Sequence, residues 1–165
     1  MDRDGFIASV VLVVVFAAGL RAVRDSFWRV ALLSLPGTIA HELSHLVVGY
    51  ALGARPQRFS LWPRREGNRW ILGFVTFGNL NVLNAAPVAL APLALLPLAV
   101  LCFRHVLVPL WESRELVWWV ASGYLTAAVF LASLPSVGDW KIGARSTVLY
   151  AMIAVVAWLG SRYFR

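Results

Sequence analysis

Long uncharged apolar blocks, separated by short basic flanks, dominate the pattern of hydrophobic and polar positions along the chain. A helix needs about 20 mostly apolar residues to cross the hydrocarbon of a bilayer. The blocks predict about five transmembrane helices, at residues 5–20, 28–53, 82–103, 116–134 and 146–160. We therefore expect an all-α polytopic membrane protein with a single domain, residues 1–165.

Residues 55–78 break this pattern. They hold several arginines and a turn-like stretch at residues 63–68, with aromatic and branched residues on both sides. Phe59 alternates with polar neighbours on the first arm, and Leu72 and Phe74 share one face of the second. Such alternation predicts a membrane-associated β-hairpin between helices two and three. Two alternatives stay open, because this stretch also suits an amphipathic surface loop, and its second arm also suits the start of the third helix.

Composition and charge agree with a membrane protein. Hydrophobic residues make up 60% of the chain and charged residues 14%, with a mean hydropathy of +0.73. The net charge is +7, but the basic residues flank the apolar blocks, where they face lipid headgroups. We therefore expect the lipid bilayer as a partner and no nucleic acid. The single cysteine, Cys102, excludes disulfides and cysteine-rich zinc sites. A multi-pass protein is expected, in the cell membrane if the source is a prokaryote; its orientation and oligomeric state are left open.

The second predicted helix carries the sequence His41-Glu42-Leu43-Ser44-His45. Two histidines four positions apart project from one face of a helix and can bind a single Zn²⁺, while the glutamate lies beside the metal. Counted back from Arg55, the motif lies roughly 15–20 Å along the helix. Charged groups at such depth are costly and mark functional sites. This predicts His41 and His45 as metal ligands and Glu42 as the catalytic base; a structural hydrogen-bonded cluster is the alternative.

A catalytic zinc usually takes three protein ligands and a water. Most acidic residues lie in the flanks, but Asp139 follows the fourth predicted helix. Helices two and four should run parallel, so Asp139 emerges on the side towards which His45 points. We predict Asp139 as the third ligand. An aspartate that begins a turn or caps the fifth helix is the alternative.

A His-Glu-x-x-His motif inside a transmembrane helix, with an aspartate near a later helix, resembles the site-2 protease type of intramembrane metalloprotease. The likeness covers residues 36–141. Members typically carry the aspartate in an Asn-x-x-Pro…Leu-Asp-Gly pattern. Here Trp140 follows Asp139, and the Asn-x-x-Pro spacing occurs on the third helix, at Asn84 and Pro87. The chain thus resembles a short, divergent branch. The resemblance implies one Zn²⁺ ion and a membrane-embedded or membrane-tethered protein substrate.

The expected function is zinc-dependent hydrolysis of peptide bonds within the membrane. Zinc lowers the pKa of a water molecule, and Glu42 takes its proton and delivers it to the leaving amine. Asn84 and Ser136 are candidate contacts to the substrate or the oxyanion, although Asn84 could equally solvate the start of a helix. The predicted hairpin offers an edge strand to an extended substrate. Two alternatives stay open: a non-proteolytic membrane protein with a structural or ligand-binding metal site, and a small ion- or proton-coupled transporter.

Overall fold

The computed structural model describes residues 3–22, 27–62, 64–66 and 69–163, and within them the chain is mostly helical. The helices are α1 Arg3–Ala22, α2 Phe27–Ala51, α3 Ala85–Ala89, α4 Leu95–Cys102, α5 Val108–Glu112, α6 Leu116–Ala132 and α7 Val137–Tyr163. The strands are β1 Pro56–Ser60, β2 Arg64–Glu66, β3 Arg69–Ile71 and β4 Phe74–Phe77. A 3₁₀ turn, Ala91–Ala94, leads into α4, and a π-helical turn, Phe103–Leu107, joins α4 to α5.

Among the described residues, three helical segments are long and apolar enough to cross a membrane: Arg3–Ala22, Ala91–Glu112 and Val137–Tyr163. These agree with an integral membrane protein, but the predicted number of five is not confirmed. α2 has 25 residues but carries the polar side chains of His41, Glu42 and His45. α6 is apolar and has 17 residues, about 25 Å of helix against a hydrocarbon thickness of about 30 Å.

The third helical segment runs further than the sequence predicts. The predicted helices at residues 82–103 and 116–134 leave a connection at residues 104–115, but in the structure helix continues to Glu112 and the connection is residues 113–115. Arg104 and His105 lie in the π-helical turn, which continues the helix, and both side chains are exposed. Because π-helical turns keep the backbone groups hydrogen-bonded within the helix, polar residues need not break it.

The last helix begins earlier than predicted, at Val137 rather than at residue 146. Ser136 and Asp139 explain the difference, because they form a reciprocal cap. The Asp139 N–H donates to Ser136 Oγ over 3.2 Å, and the Ser136 N–H donates to Asp139 Oδ2 over 2.6 Å. This arrangement satisfies two backbone donors that a helix start leaves unpaired. Asp139 therefore lies in the first turn of α7.

The hairpin predicted over residues 55–78 is confirmed. β1 pairs antiparallel with β4, with Phe59 opposite Val75, and β2 pairs antiparallel with β3. The predicted turn, residues 63–68, lies partly outside the described residues, since Pro63, Gly67 and Asn68 are not among them. Two close approaches place the hairpin on α2. The Phe77 ring fills the space that a Cβ on Gly49 would occupy, and Gly73 lies against the Glu42 side chain.

Small residues fill the interior, while large apolar side chains point outwards. The buried residues include Ala54, Ala86, Ala89, Ala127 and Ala128. By contrast, Val117 is 80% exposed and Val156 is 69% exposed. Small residues at helix interfaces with large apolar residues outside are typical of helices packed in lipid, where there is no hydrophobic gain from burying leucines or valines.

α2 and α6 are packed side by side in the same direction. Three contacts repeat every four residues along both helices: Tyr124 with Leu33, Ala128 with Gly37, and Ala132 with His41. At Gly37 the two backbones approach closely, since a Cβ there would lie 2.8 Å from the Ala128 carbonyl oxygen. The expectation that these two helices run parallel is thus confirmed. Their register decides which carbonyl of α6 meets His41.

Replacing Gly37 by alanine should destabilise the protein, because the new methyl group would press on the Ala128 backbone. Overpacking of this kind costs about 1–3 kcal/mol. Gly19→Ala is the matched control, since Gly19 is a helical glycine with nothing within 4 Å of the added Cβ. In Gly19→Ala, the higher helix propensity of alanine should leave the stability unchanged or raise it. Thermal unfolding in detergent measures both, and equal unfolding temperatures for the two variants would contradict the close packing.

Candidate metal centre

Two helices other than α2 orient the histidines of the motif through backbone carbonyls. His41 Nδ1 lies 2.7 Å from the carbonyl oxygen of Ala132, at the end of α6. His45 Nδ1 lies 2.7 Å from the carbonyl oxygen of Val88, in α3. A carbonyl only accepts, so each imidazole must donate the proton on Nδ1. Both Nε2 atoms are therefore left with lone pairs in the neutral rings, the tautomer that binds a metal through Nε2.

The two Nε2 atoms and the Asp139 carboxylate converge on one point. His41 Nε2 lies 3.2 Å from His45 Nε2. Asp139 Oδ2 lies 3.3 Å from the first of these nitrogens, and Oδ1 lies 3.2 Å from the second. His45 is buried, and the His41 and Asp139 side chains are 15% and 13% exposed. The three side chains form a group that could hold a metal ion, with ligand atoms within 4.8 Å of one another.

Electrostatics favour a cation at this point. Because the Nδ1 protons of His41 and His45 are committed to carbonyls, two nitrogen lone pairs and two carboxylate oxygens of Asp139 face one another at 3.2–3.3 Å. Acceptors crowded in this way repel one another unless a proton or a metal ion lies between them. A divalent cation satisfies all of them at once, so the donor set suits a metal that takes nitrogen and oxygen ligands.

Asp139 combines the two roles that the sequence left as alternatives. Its carboxylate belongs to the cap of α7 through the Ser136 N–H, and it also faces both histidines. The cap holds the side chain at the helix start, so the carboxylate reaches the group without a flexible loop. α7 is itself packed on α3: a Cβ on Gly143 would lie 3.0 Å from Ala89 Cβ.

Glu42 lies beside this group and is 8% exposed. No hydrogen bond or ion pair to its carboxylate is found among the residues that the structure describes. The hairpin covers it closely at Gly73, where a Cβ would lie 2.8 Å from Glu42 Cγ and 3.1 Å from Thr38 Cγ2. A carboxylate that has no partner among the described residues and lies next to a candidate cation site is suited to accept a proton.

The two predicted contact residues, Asn84 and Ser136, are placed differently. Asn84 is buried, and both ends of its amide are used in the loop before α3: Oδ1 accepts from the Asn81 N–H, and Nδ2 donates to the Asn79 carbonyl. Its alternative role at the start of a helix agrees with this bonding. Ser136 belongs to the cap of α7, next to Asp139. Contact with a substrate or an oxyanion stays a prediction for both residues.

Three residues of the site were not found from the sequence. Ala132 and Val88 contribute only backbone carbonyls, which any residue type supplies, so no signal in the sequence marks them. Gly73 carries a weak signal, since a glycine inside a strand-like stretch often marks a close approach of another group.

No family model, curated protein or solved structure matches the chain. The resemblance to site-2 proteases stays a prediction from the motif.

Ligation by Asp139 can be separated from its capping role with a pair of variants. Asp139→Asn keeps an oxygen for the Ser136 N–H but removes the anionic ligand, so metal affinity should fall by more than the ~10–100-fold that supporting residues contribute. Ser136→Ala removes one capping bond, about 1 kcal/mol of stability, and leaves the carboxylate in place. The Ser136→Ala protein should therefore keep its metal. Metal content after purification and dialysis measures both, and a metal-loaded Asp139→Asn protein would contradict ligation.

Proposed function

We propose that the chain is an intramembrane zinc endopeptidase, which hydrolyses peptide bonds of membrane-embedded or membrane-tethered proteins. One observation carries this proposal: two histidines, whose Nδ1 protons are donated to carbonyls, converge with an aspartate on one point, and Glu42, which is 8% exposed, lies beside them. Three protein ligands plus a neighbouring carboxylate is the donor set of hydrolytic zinc sites, in which a further position stays open for water or substrate.

The separations of the ligand atoms support zinc. Nitrogen and oxygen ligands at about 2.0–2.1 Å in a tetrahedral site lie about 3.3 Å from one another. The two Nε2 atoms lie 3.2 Å apart, and each faces a different oxygen of Asp139, His41 at 3.3 Å from Oδ2 and His45 at 3.2 Å from Oδ1, which is close to that separation. These three residues would hold the ion, and when bound it would polarise the substrate carbonyl and acidify a water.

The residues of the chain then have separate tasks. Glu42 accepts the proton of the attacking water and delivers it to the leaving amine, which makes it the general base and then the general acid. The Ala132 and Val88 carbonyls hold the imidazoles in the required tautomer. Gly73 allows the hairpin to cover Glu42 and exclude bulk water, which strengthens the electrostatic interactions in the site.

An extended substrate segment has a place to bind beside Glu42. β4 lies along α2, from Gly73 at Glu42 to Phe77 at Gly49. Among the described strands, β1 and β4 pair only with each other, so each has an open edge. A substrate strand that pairs with such an edge would expose its peptide bonds, which a helix shields by its own hydrogen bonding. In this proposal α2 and α6 also span the membrane, which brings the number of spans to five.

The alternative functions fit the site less well. A structural metal site would be closed by four protein ligands, but within the described part of the chain the group contains three. A transporter would need ionisable groups along a path across the membrane. The buried ionisable groups found in the described residues are instead concentrated at the single point formed by His41, Glu42, His45 and Asp139.

Glu42→Gln should abolish proteolysis while leaving zinc bound, because the amide cannot take a proton but Glu42 is not one of the three ligands. Loss of a general base lowers the rate by about 10²–10⁴-fold. Glu115→Gln, at an exposed acid outside the site, is the matched control and should cleave normally. The measurement is cleavage of a panel of membrane-anchored peptides in detergent or nanodiscs, with zinc content measured in parallel. Unchanged cleavage by Glu42→Gln would contradict the mechanism.

Gly73→Ala should lower the rate of cleavage without loss of zinc. The added methyl group would collide with Glu42 Cγ and Thr38 Cγ2, and a displacement of about 1 Å in a catalytic group can cost 10²-fold in rate. Gly160→Ala provides the control, since nothing lies within 4 Å of a Cβ there. If both variants cleave at the wild-type rate, the hairpin does not position Glu42.

A further inference from the structure

A groove lies between α7 and the loop that follows β4, apart from the metal centre. Its volume is about 220 Å³, and Ile142 and Arg145 of α7 face Leu80, Asn81 and Val82 across it. Ser146 closes the floor: its hydroxyl donates to the Val82 carbonyl over 2.6 Å and accepts from the Ala86 N–H over 3.0 Å. The polar atoms of the floor are therefore satisfied within the protein.

The groove carries uncompensated positive charge. Arg145 is exposed, and no carboxylate pairs with it among the residues that the structure describes. Lys141 lies one turn earlier on the same face of α7 and is also exposed. The nearest acid along the helix, Asp139, is engaged with the Ser136 N–H and the two histidines. Guanidinium and ammonium groups in this setting attract an anion.

Asn81 adds a neutral donor at the opposite wall. Its Oδ1 accepts from the Leu83 N–H over 2.9 Å and from the Asn84 N–H over 3.1 Å. These two bonds fix the orientation of the amide, so the other end presents N–H groups. No acceptor for Nδ2 is found in the described part of the chain. An arginine and an amide that line the same groove supply donors for phosphate oxygens.

An apolar surface continues from Arg145 along the same helix. Val148, Met152, Val155 and Val156 follow it at helical spacing and line a second groove of about 380 Å³. Met152 is 61% exposed and Val148 is 59% exposed. A cationic end that leads directly into an apolar stripe matches a phosphate headgroup with its acyl chain. A free phosphate ion would contact only the cationic end and would leave the apolar stripe uncovered, so the surface matches a lipid better.

We propose that this surface, called here the Arg145 groove, binds an anionic phospholipid. The phosphate would lie between Arg145 and Asn81, and an acyl chain would lie along Val148, Met152 and Val156. A lipid with a net negative charge is favoured over a zwitterionic one, because no carboxylate in the described part of the chain pairs with Arg145 or Lys141. The proposal does not depend on the zinc site or on proteolysis.

The test is native mass spectrometry of the full chain from nanodiscs that contain equal amounts of phosphatidylglycerol and phosphatidylcholine. The wild type should retain phosphatidylglycerol preferentially, and Arg145→Gln should lower that preference by about fivefold, the effect of one basic residue at a membrane surface. Arg162→Gln is the matched control. It removes the same charge from the same helix, where Arg162 lies 4.6 Å from the Trp158 ring, and it should keep the preference.

A second variant tests the acyl-chain part of the groove. Met152→Ser should reduce retention of both lipids and leave the ratio between them unchanged, because it alters the apolar stripe but not the charge. Three results would overturn the proposal: no preference in the wild type, an equal loss of preference in Arg145→Gln and Arg162→Gln, or full retention of lipid by Met152→Ser.

Discussion

Two hydrogen bonds, from the Nδ1 atoms of His41 and His45 to the carbonyls of Ala132 and Val88, organise this protein. Each joins α2 to a different helical segment, and each fixes the tautomer of its imidazole. Once both protons are committed, the Nε2 lone pairs face each other and the Asp139 carboxylate, an arrangement that a proton or a metal ion at that point would stabilise. The same two bonds that join the helices thus also shape the candidate metal site.

Close backbone approach makes those bonds possible. Gly37 lets α2 approach the α6 backbone, and this contact sets the register in which Ala132 meets His41. Gly143 plays the corresponding part between α7 and α3, on which Asp139 and the Val88 carbonyl depend. The large apolar side chains of this protein face outwards. Close contacts between small residues therefore hold the helices together, as a packed hydrophobic core does in a soluble protein. The site is therefore sensitive to methyl groups added at positions that carry no chemistry.

The sequence predicted the helical class, the hairpin and the residues that converge, because each has a local signal. His41 and His45 follow helical spacing, and Asp139 was one of few acids that follow a helix on the correct side. Other features depend on tertiary contacts and have no local signal. The carbonyl partners are of this kind, and so is the close approach of Gly73 to Glu42. The early start of α7 had a local signal in Ser136 and Asp139, but the predicted helix begins only at residue 146, where the uncharged block begins.

The central claim is that His41, His45 and Asp139 bind one zinc ion with a position left open for water. X-ray absorption at the zinc edge of the purified protein tests it most directly. The account predicts four nitrogen or oxygen neighbours at about 2.0–2.1 Å, with outer-shell scattering from two imidazoles that falls to one in His41→Ala. A sulfur neighbour at about 2.3 Å, which would implicate Cys102, or a protein that contains no zinc after expression in zinc-supplemented medium would contradict it.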